Sequence, residues 1–268
     1  MNINKKKGDV LNKIRNIKTV NTSQKNLSSK KSVIVFDNDE CTGQYSFLGS
    51  LHSLFIEDNN LKYPESKLSY NDTIKLISKY YLGYGGIRPY VKKTLQYLYN
   101  KKQKLKLDKI FMYTAAENLD NYVFFLKDCI EYHCDCIGIF DKIFDRSFCN
   151  EDLTKNLDNI RGDISTSKIL MIDDRPNNII KGDGFVYGVE PYLYCPKWNI
   201  ISKFIDEYGE NYLEELYLIN KDYFKEIGIN MPLKDMLYEE WKDCQYIDCK
   251  KEDKNFAIVF DIIQALIK

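Results

Sequence analysis

The sequence predicts an α/β fold built on a central parallel sheet, and three observations carry that reading. Short apolar runs with no polar alternation recur at residues 32–36 (SVIVF), 109–113 (KIFMY) and 168–172 (KILMI). Such runs suit strands that are covered on both faces. Segments with helical apolar spacing lie between them, and strands alternating with helices imply a parallel sheet. Each run also ends at a small or acidic polar residue: Asp37, Thr114 and Asp173.

In chain order, residues 1–31 are rich in Lys, Asn and Ser, with too few apolar positions to offset the entropy of ordering. They read as a flexible basic arm, with nine basic side chains (Lys5, Lys6, Lys7, Lys13, Arg15, Lys18, Lys25, Lys30, Lys31) against the single acid Asp9. A solvated tail is the favoured reading, and contact with a polyanion or a nuclear address is the sharper one. The strand at 32–36 follows, then an insert within 43–87. Its first part, 43–56, places Tyr45, Phe47, Leu48, Leu51, Leu54 and Phe55 as a flap and helix would, and 70–84 adds a helix or two. Residues 89–99 (Val91, Leu95, Leu98) and 119–132 (Tyr122, Phe125, Leu126, Ile130) carry helical spacing on either side of the second strand. Residues 185–189 read as a further strand and 201–208 as a helix. Beyond Gly209 the chain turns acidic and tyrosine-rich, with helical pieces at 212–219 and 256–267 separated by Pro232 and a charged loop near 250–254. The expected organisation is therefore an arm (1–31), a core (32–209) and a helical C-terminal extension packed on it (210–268), without internal repeats.

Composition narrows the function classes. With 268 residues, 44% of them hydrophobic, the chain has enough apolar surface for a substantial core. Lys plus Arg and Asp plus Glu both number 39, so no global charge excess points the whole molecule at nucleic acid or membrane. Outside the arm the balance is acidic, 30 basic against 38 acidic residues. No run approaches the roughly 18 apolar residues of a membrane span. The N-terminus lacks the apolar segment of roughly 7 to 15 residues that a secretory signal carries, so the expected location is intracellular with reduced thiols. A bias to Lys, Asn, Ile and Tyr, as an AT-rich genome encodes, leaves cytoplasm, nucleus and viral particle open. Eight cysteines without paired CxxC spacing argue against a disulfide scaffold and against structural zinc.

The chemistry is expected at the carboxyl ends of the strands, where ligands bind in open α/β sheets. Asp37-Asn38-Asp39 follows the first strand, and a period of two would point both carboxylates to one side. Two carboxylates brought together repel unless a cation or a shared proton relieves them. Asp173 and Asp174 end another strand, and an all-oxygen cluster suits Mg²⁺ better than zinc or copper. Thr114, with the amides of Ala115 and Ala116, offers neutral donors for phosphate oxygens, and Lys155 offers positive charge. Taken singly, each piece also reads as a cap or an acidic turn. Together they meet the needs of phosphoryl transfer: nucleophile, acid/base, metal and fixed donors.

These residues resemble the haloacid dehalogenase superfamily, whose first motif is a hydrophobic strand followed by DxDx(T/V), matched here by Asp37-Asn38-Asp39-Glu40-Cys41. Within it the chain is most similar to the NLI-interacting-factor-like phosphatases, the group that includes phosphatases of the RNA polymerase II C-terminal domain. Residues 87–91 (IRPYV) resemble their RPGV-type helix start, and 112–116 (MYTAA) their YTAS segment. Residues 153–157 (LTKNL), 161–164 (RGDI) and 172–176 (IDDRP) resemble their KDL, GRDL and DNSP series. The resemblance spans about residues 32–200. It implies a Rossmann-like three-layer sandwich with a small or minimal cap. It also implies a Mg²⁺-dependent phosphatase acting on phosphoserine or phosphothreonine in protein. Asp37 would attack phosphorus and form an aspartyl-phosphate, and Asp39 would protonate the leaving oxygen and then activate water. Thr114 would hold the phosphoryl group and Lys155 would neutralise charge. Asp173 and Asp174 would bind Mg²⁺ beside Asp37 and the main-chain carbonyl of Asp39. Two departures stand out. Cys41 replaces Thr, and Asp174 stands where the most similar group has Asn. Arg88, ahead of the helix-starting Pro89, fits a structural role at least as well as a functional one.

Spacing bears on the substrate. Only 40 residues separate Thr114 from Lys155, too few for a large lid beside a helix and a strand, while 46 separate Cys41 from Arg88. A partly open site favours a phosphorylated macromolecule over a metabolite sealed under a lid. The alternatives are the same chemistry on a nucleic-acid terminal phosphate or a small phosphate ester, with the arm attracting nucleic acid in the former case, and a non-catalytic binding module that keeps the fold.

Overall fold

A computed structural model describes residues 32–56, 59–63, 68–104, 107–163, 168–182, 184–244 and 253–267. The basic arm expected at 1–31, and most of the charged loop expected at 250–254, lie outside the described residues. The sheet is built from β1 (Ser32–Phe36), β2 (Lys109–Tyr113), β3 (Lys142–Phe144), β5 (Lys168–Asp173) and β7 (Phe185–Gly188). All neighbours in it are parallel, in the order β3-β2-β1-β5-β7. β4 (Lys155–Asn156) and β6 (Ile179–Ile180) form a separate parallel ribbon.

The apolar runs lack polar alternation because both faces of the sheet are covered. Ile34, Phe36, Ile110, Met112, Leu170 and Ile172 enter one apolar cluster, while Val33, Val35, Phe111, Tyr113, Ile169 and Met171 enter the other. The period of two thus splits each strand between two cores, and the result is a three-layer α/β sandwich. Its layers are unequal. The second cluster is closed by Leu157 and Ile160, from the 3-10 segment Leu157–Asp163, together with Phe148 and Ile179.

The first cluster is the larger and, among the described residues, takes side chains from nine helices. These are α1 (Ser46–Phe55), α2 (Tyr70–Tyr80), α3 (Val91–Gln103), α4 (Tyr122–His133), α5 (Trp198–Tyr208), α6 (Glu210–Ile219), α7 (Lys221–Glu226), α8 (Leu233–Asp243) and α9 (Asn255–Ile267). The helices after Gly209 share that cluster with β1, β2 and β5. No described helix is long and apolar enough to cross a membrane.

Several boundaries differ from the sequence reading. α3 begins at Val91, and not at 89, because Tyr90 adopts a left-handed conformation (φ 70°). α4 begins at Tyr122 because Asp120 and Asn121 are left-handed, a conformation Asp and Asn tolerate better than most residues, and the Asn118 side chain accepts from the Val123 amide at 3.0 Å. β3 has three residues and β4 and β6 two each, too short to show a period. α7 and α8 fill the stretch around Pro232 that had no assigned helix; Pro232 is the N-cap of α8. Among the described residues, the first part of the insert, 43–56, is packed inward. Phe47, Leu48, Leu51, Leu54 and Phe55 are all buried, so α1 turns its apolar stripe into the main core.

Candidate functional site

Because β1, β2 and β5 run parallel, their carboxyl ends open at one edge of the sheet, and a cavity of about 380 Å³ lies there. Asp37, Asp39, Thr114, Lys155, Asp173 and Asp174 all line it, together with Ala115 and Ala116. Every residue proposed from the sequence is therefore brought to one place. Among the described residues, the insert contributes only Ser46 to the lining.

Local backbone places each group. β1 ends in a turn in which the amides of Cys41 and Thr42 donate to the Asn38 carbonyl (3.1 and 2.8 Å) and Glu40 takes a left-handed φ of 59°. The Asp37 amide donates to the Ile172 carbonyl at 3.0 Å, fixing the first strand end to β5. Gly43 closes the turn, bridging to both Asp39 and Ile87, and a Cβ there would sit 2.5 Å from the Gly86 carbonyl oxygen, so only glycine fits unshifted. Lys155 is held on the β4–β6 ribbon, in register with Ile179. The Tyr113 hydroxyl braces that ribbon, accepting from the Asn156 amide at 3.2 Å and donating to the Phe148 carbonyl at 2.6 Å. The Thr114 amide donates to Phe144, and its hydroxyl accepts from the Ala116 amide at 3.1 Å.

At the centre, the Lys155 ammonium contacts Asp37 Oδ1 at 2.6 Å and Asp173 Oδ2 at 2.7 Å, all three side chains being buried. Asp173 Oδ1 accepts from the Arg175 amide at 2.6 Å. Asp37, Asp173 and Asp174 each offer an oxygen within 4.8 Å of the others. The expected contribution of Asp39 to a metal is its main-chain carbonyl, and the Asp39 carboxylate is not part of that trio. Its Oδ1 is buried without a hydrogen-bond partner among the described residues, as is Oδ2 of Asp174, which lies 3.3 Å from Arg175 Nε without a hydrogen bond.

The electrostatics follow from crowding four carboxylates around one buried ammonium. Burial raises the Asp37 carboxyl to about 6 against the pull of Lys155, with Asp174 adding to the rise. Burial, then Asp37 and Glu40, raise Asp39 to about 7. Asp173 and Asp174 are raised as well, mainly by burial. Burial pulls Lys155 down, but Asp37 and Asp173 outweigh it, so its pKa is raised and it stays cationic. Such an excess of negative charge out of water favours protons or a cation. The donors are all oxygen, the trio converges, and two buried carboxylate oxygens lack hydrogen-bond partners among the described residues, so the residues fit a hard divalent ion such as Mg²⁺.

Sequence reasoning missed Glu40, Asp152, Leu153, Arg175 and Asn178 in the lining. Glu40 and Arg175 directly follow the named acids, and that adjacency was the available signal; they pair across the rim at 3.4 Å. Cys41 points away from the cavity: it is fully buried, its Sγ lies 3.5 Å from the Ile172 carbonyl, and burial pushes its thiol well up.

No family model matches the chain, and no curated protein matches it. Among solved structures it is similar to the crystal structure of the Legionella pneumophila effector Ceg4 with an N-terminal yeast Hog1p sequence. The TM-score is 0.38 at 10% identity, over 69% of this chain and 99% of that one. A likeness at that level carries no argument about this chain.

Proposed function

We propose that this chain is a Mg²⁺-dependent phosphatase of the aspartyl-phosphate type, the chemistry of the superfamily its sequence resembles, with phosphoserine or phosphothreonine in protein as substrate. One observation supports the reading above the others. Asp37, bound to Lys155, and Asp39, with its pKa near 7, share one turn facing Thr114, Ala115 and Ala116 across a single cavity.

In the first step an Asp37 carboxylate oxygen bonds to phosphorus and the bond from phosphorus to the leaving oxygen breaks. Asp39, half protonated near neutral pH, gives that oxygen its proton. In the second step water adds to phosphorus, Asp39 takes the water's proton, and the bond from Asp37 to phosphorus breaks, restoring the carboxylate. Lys155 offsets charge on Asp37 throughout, and Thr114 with the Ala115 and Ala116 amides donates to phosphoryl oxygens. Asp37, Asp173 and Asp174 would hold Mg²⁺, which would supply neutralising charge and orientation for the phosphate.

A phosphoprotein is favoured over a small metabolite because, among the described residues, the insert gives the cavity wall Ser46 alone. An intracellular location, in cytoplasm or nucleus, belongs to the same proposal and is supported by seven cysteines that are all free among the described residues.

The test is phosphate release from para-nitrophenyl phosphate by the full chain with Mg²⁺, beside Asp37→Asn and a chelator control. Metal-dependent turnover lost in Asp37→Asn supports the chemistry, and phosphopeptides compared with 5′-phosphorylated oligonucleotides then decide the substrate. Folded, Mg²⁺-loaded protein without turnover on any of the three refutes it and leaves a binding module.

A further inference from the structure

Arg88 is the largest of the fully buried side chains, 1% exposed, yet it lies outside the cavity lining. A guanidinium taken out of water must have its charge and its five N–H groups met. Here NH1 donates to the carbonyls of Cys41 (2.9 Å) and Glu40 (3.4 Å), and NH2 donates to the carbonyl of Glu190 (2.7 Å). Nε donates to Asp253 Oδ2, and this buried ion pair is the one shown for Arg88 among the described residues. The guanidinium also lies over the rings of Tyr192 (5.5 Å) and Phe256 (5.7 Å). Glu40 and Cys41 are the residues immediately after Asp39. The turn that carries both candidate catalytic carboxylates is thus held from behind by Arg88, and Arg88 is held by the start of α9.

A second contact runs the same way. The Phe256 ring stacks on Phe36, the residue immediately before Asp37, with centroids 6.3 Å apart and planes at 24°. The first residue of α9's entry and its second helical residue therefore touch the two ends of the Asp37–Asp39 turn by independent routes, one polar and one aromatic.

We propose that Asp253 and Phe256 are positioning residues for the Asp37–Asp39 turn, acting through Arg88 and Phe36, so that the C-terminal helix is part of the active-site scaffold. This rests on the phosphatase reading for its catalytic consequence, though not for the mechanical link itself. A plain helix cap accounts for only half of what Asp253 does. Its Oδ1 accepts from the Asn255 amide (2.7 Å) and side chain (2.8 Å), which is enough to start α9. Its Oδ2 is turned to Arg88, and a buried ion pair is an inefficient source of bare stability compared with apolar packing. What the pair does supply is direction: charge-assisted hydrogen bonds fix the guanidinium, and the guanidinium fixes two carbonyls of the turn. Small displacements of a nucleophile cost large factors in rate.

The experiment compares wild type with Asp253→Asn, which keeps an Oδ1 cap and removes the charge, Phe256→Leu, Asp253→Glu and Ile263→Val. Ile263 is buried in the same helix and makes none of the contacts to Arg88 and Phe36 named above, so its substitution loosens α9 at another point along its length. Two quantities are read on the full chain: amide hydrogen exchange at Glu40, Cys41 and Thr42 without metal, and kcat and KM for para-nitrophenyl phosphate with Mg²⁺. Asp253→Asn and Phe256→Leu are expected to speed exchange at those amides about tenfold and to lower kcat about ten- to a hundredfold, with KM within about twofold of wild type. Asp253→Glu should recover part of both, and Ile263→Val should change neither at a matched loss of melting temperature. Exchange and kcat at wild-type values in both variants, with only the melting temperature lowered, would overturn the proposal. If wild type itself shows no turnover, the phosphatase reading fails separately and the exchange data alone decide the mechanical link.

Discussion

The crowded carboxylates make a prediction about stability that needs no substrate. Asp39 carries its proton up to about pH 7 in the folded chain against an ordinary value of 3.8, chiefly because it is buried. A carboxyl raised on folding stabilises the protein fully below its unfolded pKa, and that contribution is lost as pH rises through the folded one. At about 1.4 kcal/mol per pH unit, the shift corresponds to roughly 4 kcal/mol, of which roughly 2.5 kcal/mol disappears between pH 5 and pH 8. Asp37, raised to about 6, adds in the same direction and titrates together with Asp39. His52 and His133, both lowered by burial, oppose this below about pH 6.5, so the wild-type curve alone blends the two. The Asp39→Asn variant separates them. Asp39 Oδ1 has no hydrogen-bond partner to lose, so the substitution removes the charge at little structural cost. Urea unfolding in chelator should show Asp39→Asn more stable than wild type by roughly 1.5 kcal/mol at pH 5 and by roughly 4 kcal/mol at pH 8. An equal difference between variant and wild type at both pH values would refute the account of the cluster.

Three further outcomes follow from the same geometry. Lys155→Met leaves Asp37 and Asp173 buried without their shared cation, and should lower stability in chelator at pH 8 by about 3 to 5 kcal/mol; a loss below 1 kcal/mol would mean that water reaches the pair. Mg²⁺ should raise the melting temperature more at pH 8 than at pH 5, because protons on the raised carboxyls compete with it, and Asp173→Asn should remove the effect. Gly43→Ala drives a methyl against the Gly86 carbonyl and should cost about 1 to 3 kcal/mol by urea unfolding, with wild-type stability counting against the turn described.

Much of the site was legible because its position follows from the fold. Once residues 32–36, 109–113 and 168–172 read as buried parallel strands, their carboxyl ends had to meet, and Asp37, Thr114 and Asp173 came with them. Lys155 was less exposed to that logic: it sits on a two-residue strand that no periodicity reveals, and the motif resemblance located it. The left-handed residues Tyr90 and Asn121 shifted helix starts because a tyrosine gives no local sign of positive φ and an asparagine permits it without requiring it. The burial of α1 was written in its five apolar positions, but a stripe says only that a face is covered, not by what. The grip of Asp253 on Arg88, across 165 positions of sequence, had no local signature at all.

The central place of β1 has a consequence for synthesis. Its hydrogen-bonding partners are β2 on one side and β5 on the other, in register from Val33 against Lys109 and from Ser32 against Lys168. A chain emerging from the ribosome thus exposes the strand bearing its foremost carboxylate early and must wait for both neighbours, the second of them more than half the polypeptide away. Until β5 is out, β1 is a bare, wholly apolar edge of the kind that chaperones cover and that other nascent chains can pair with. Delay in translation between residues 113 and 168 would lengthen that interval more than delay anywhere after it.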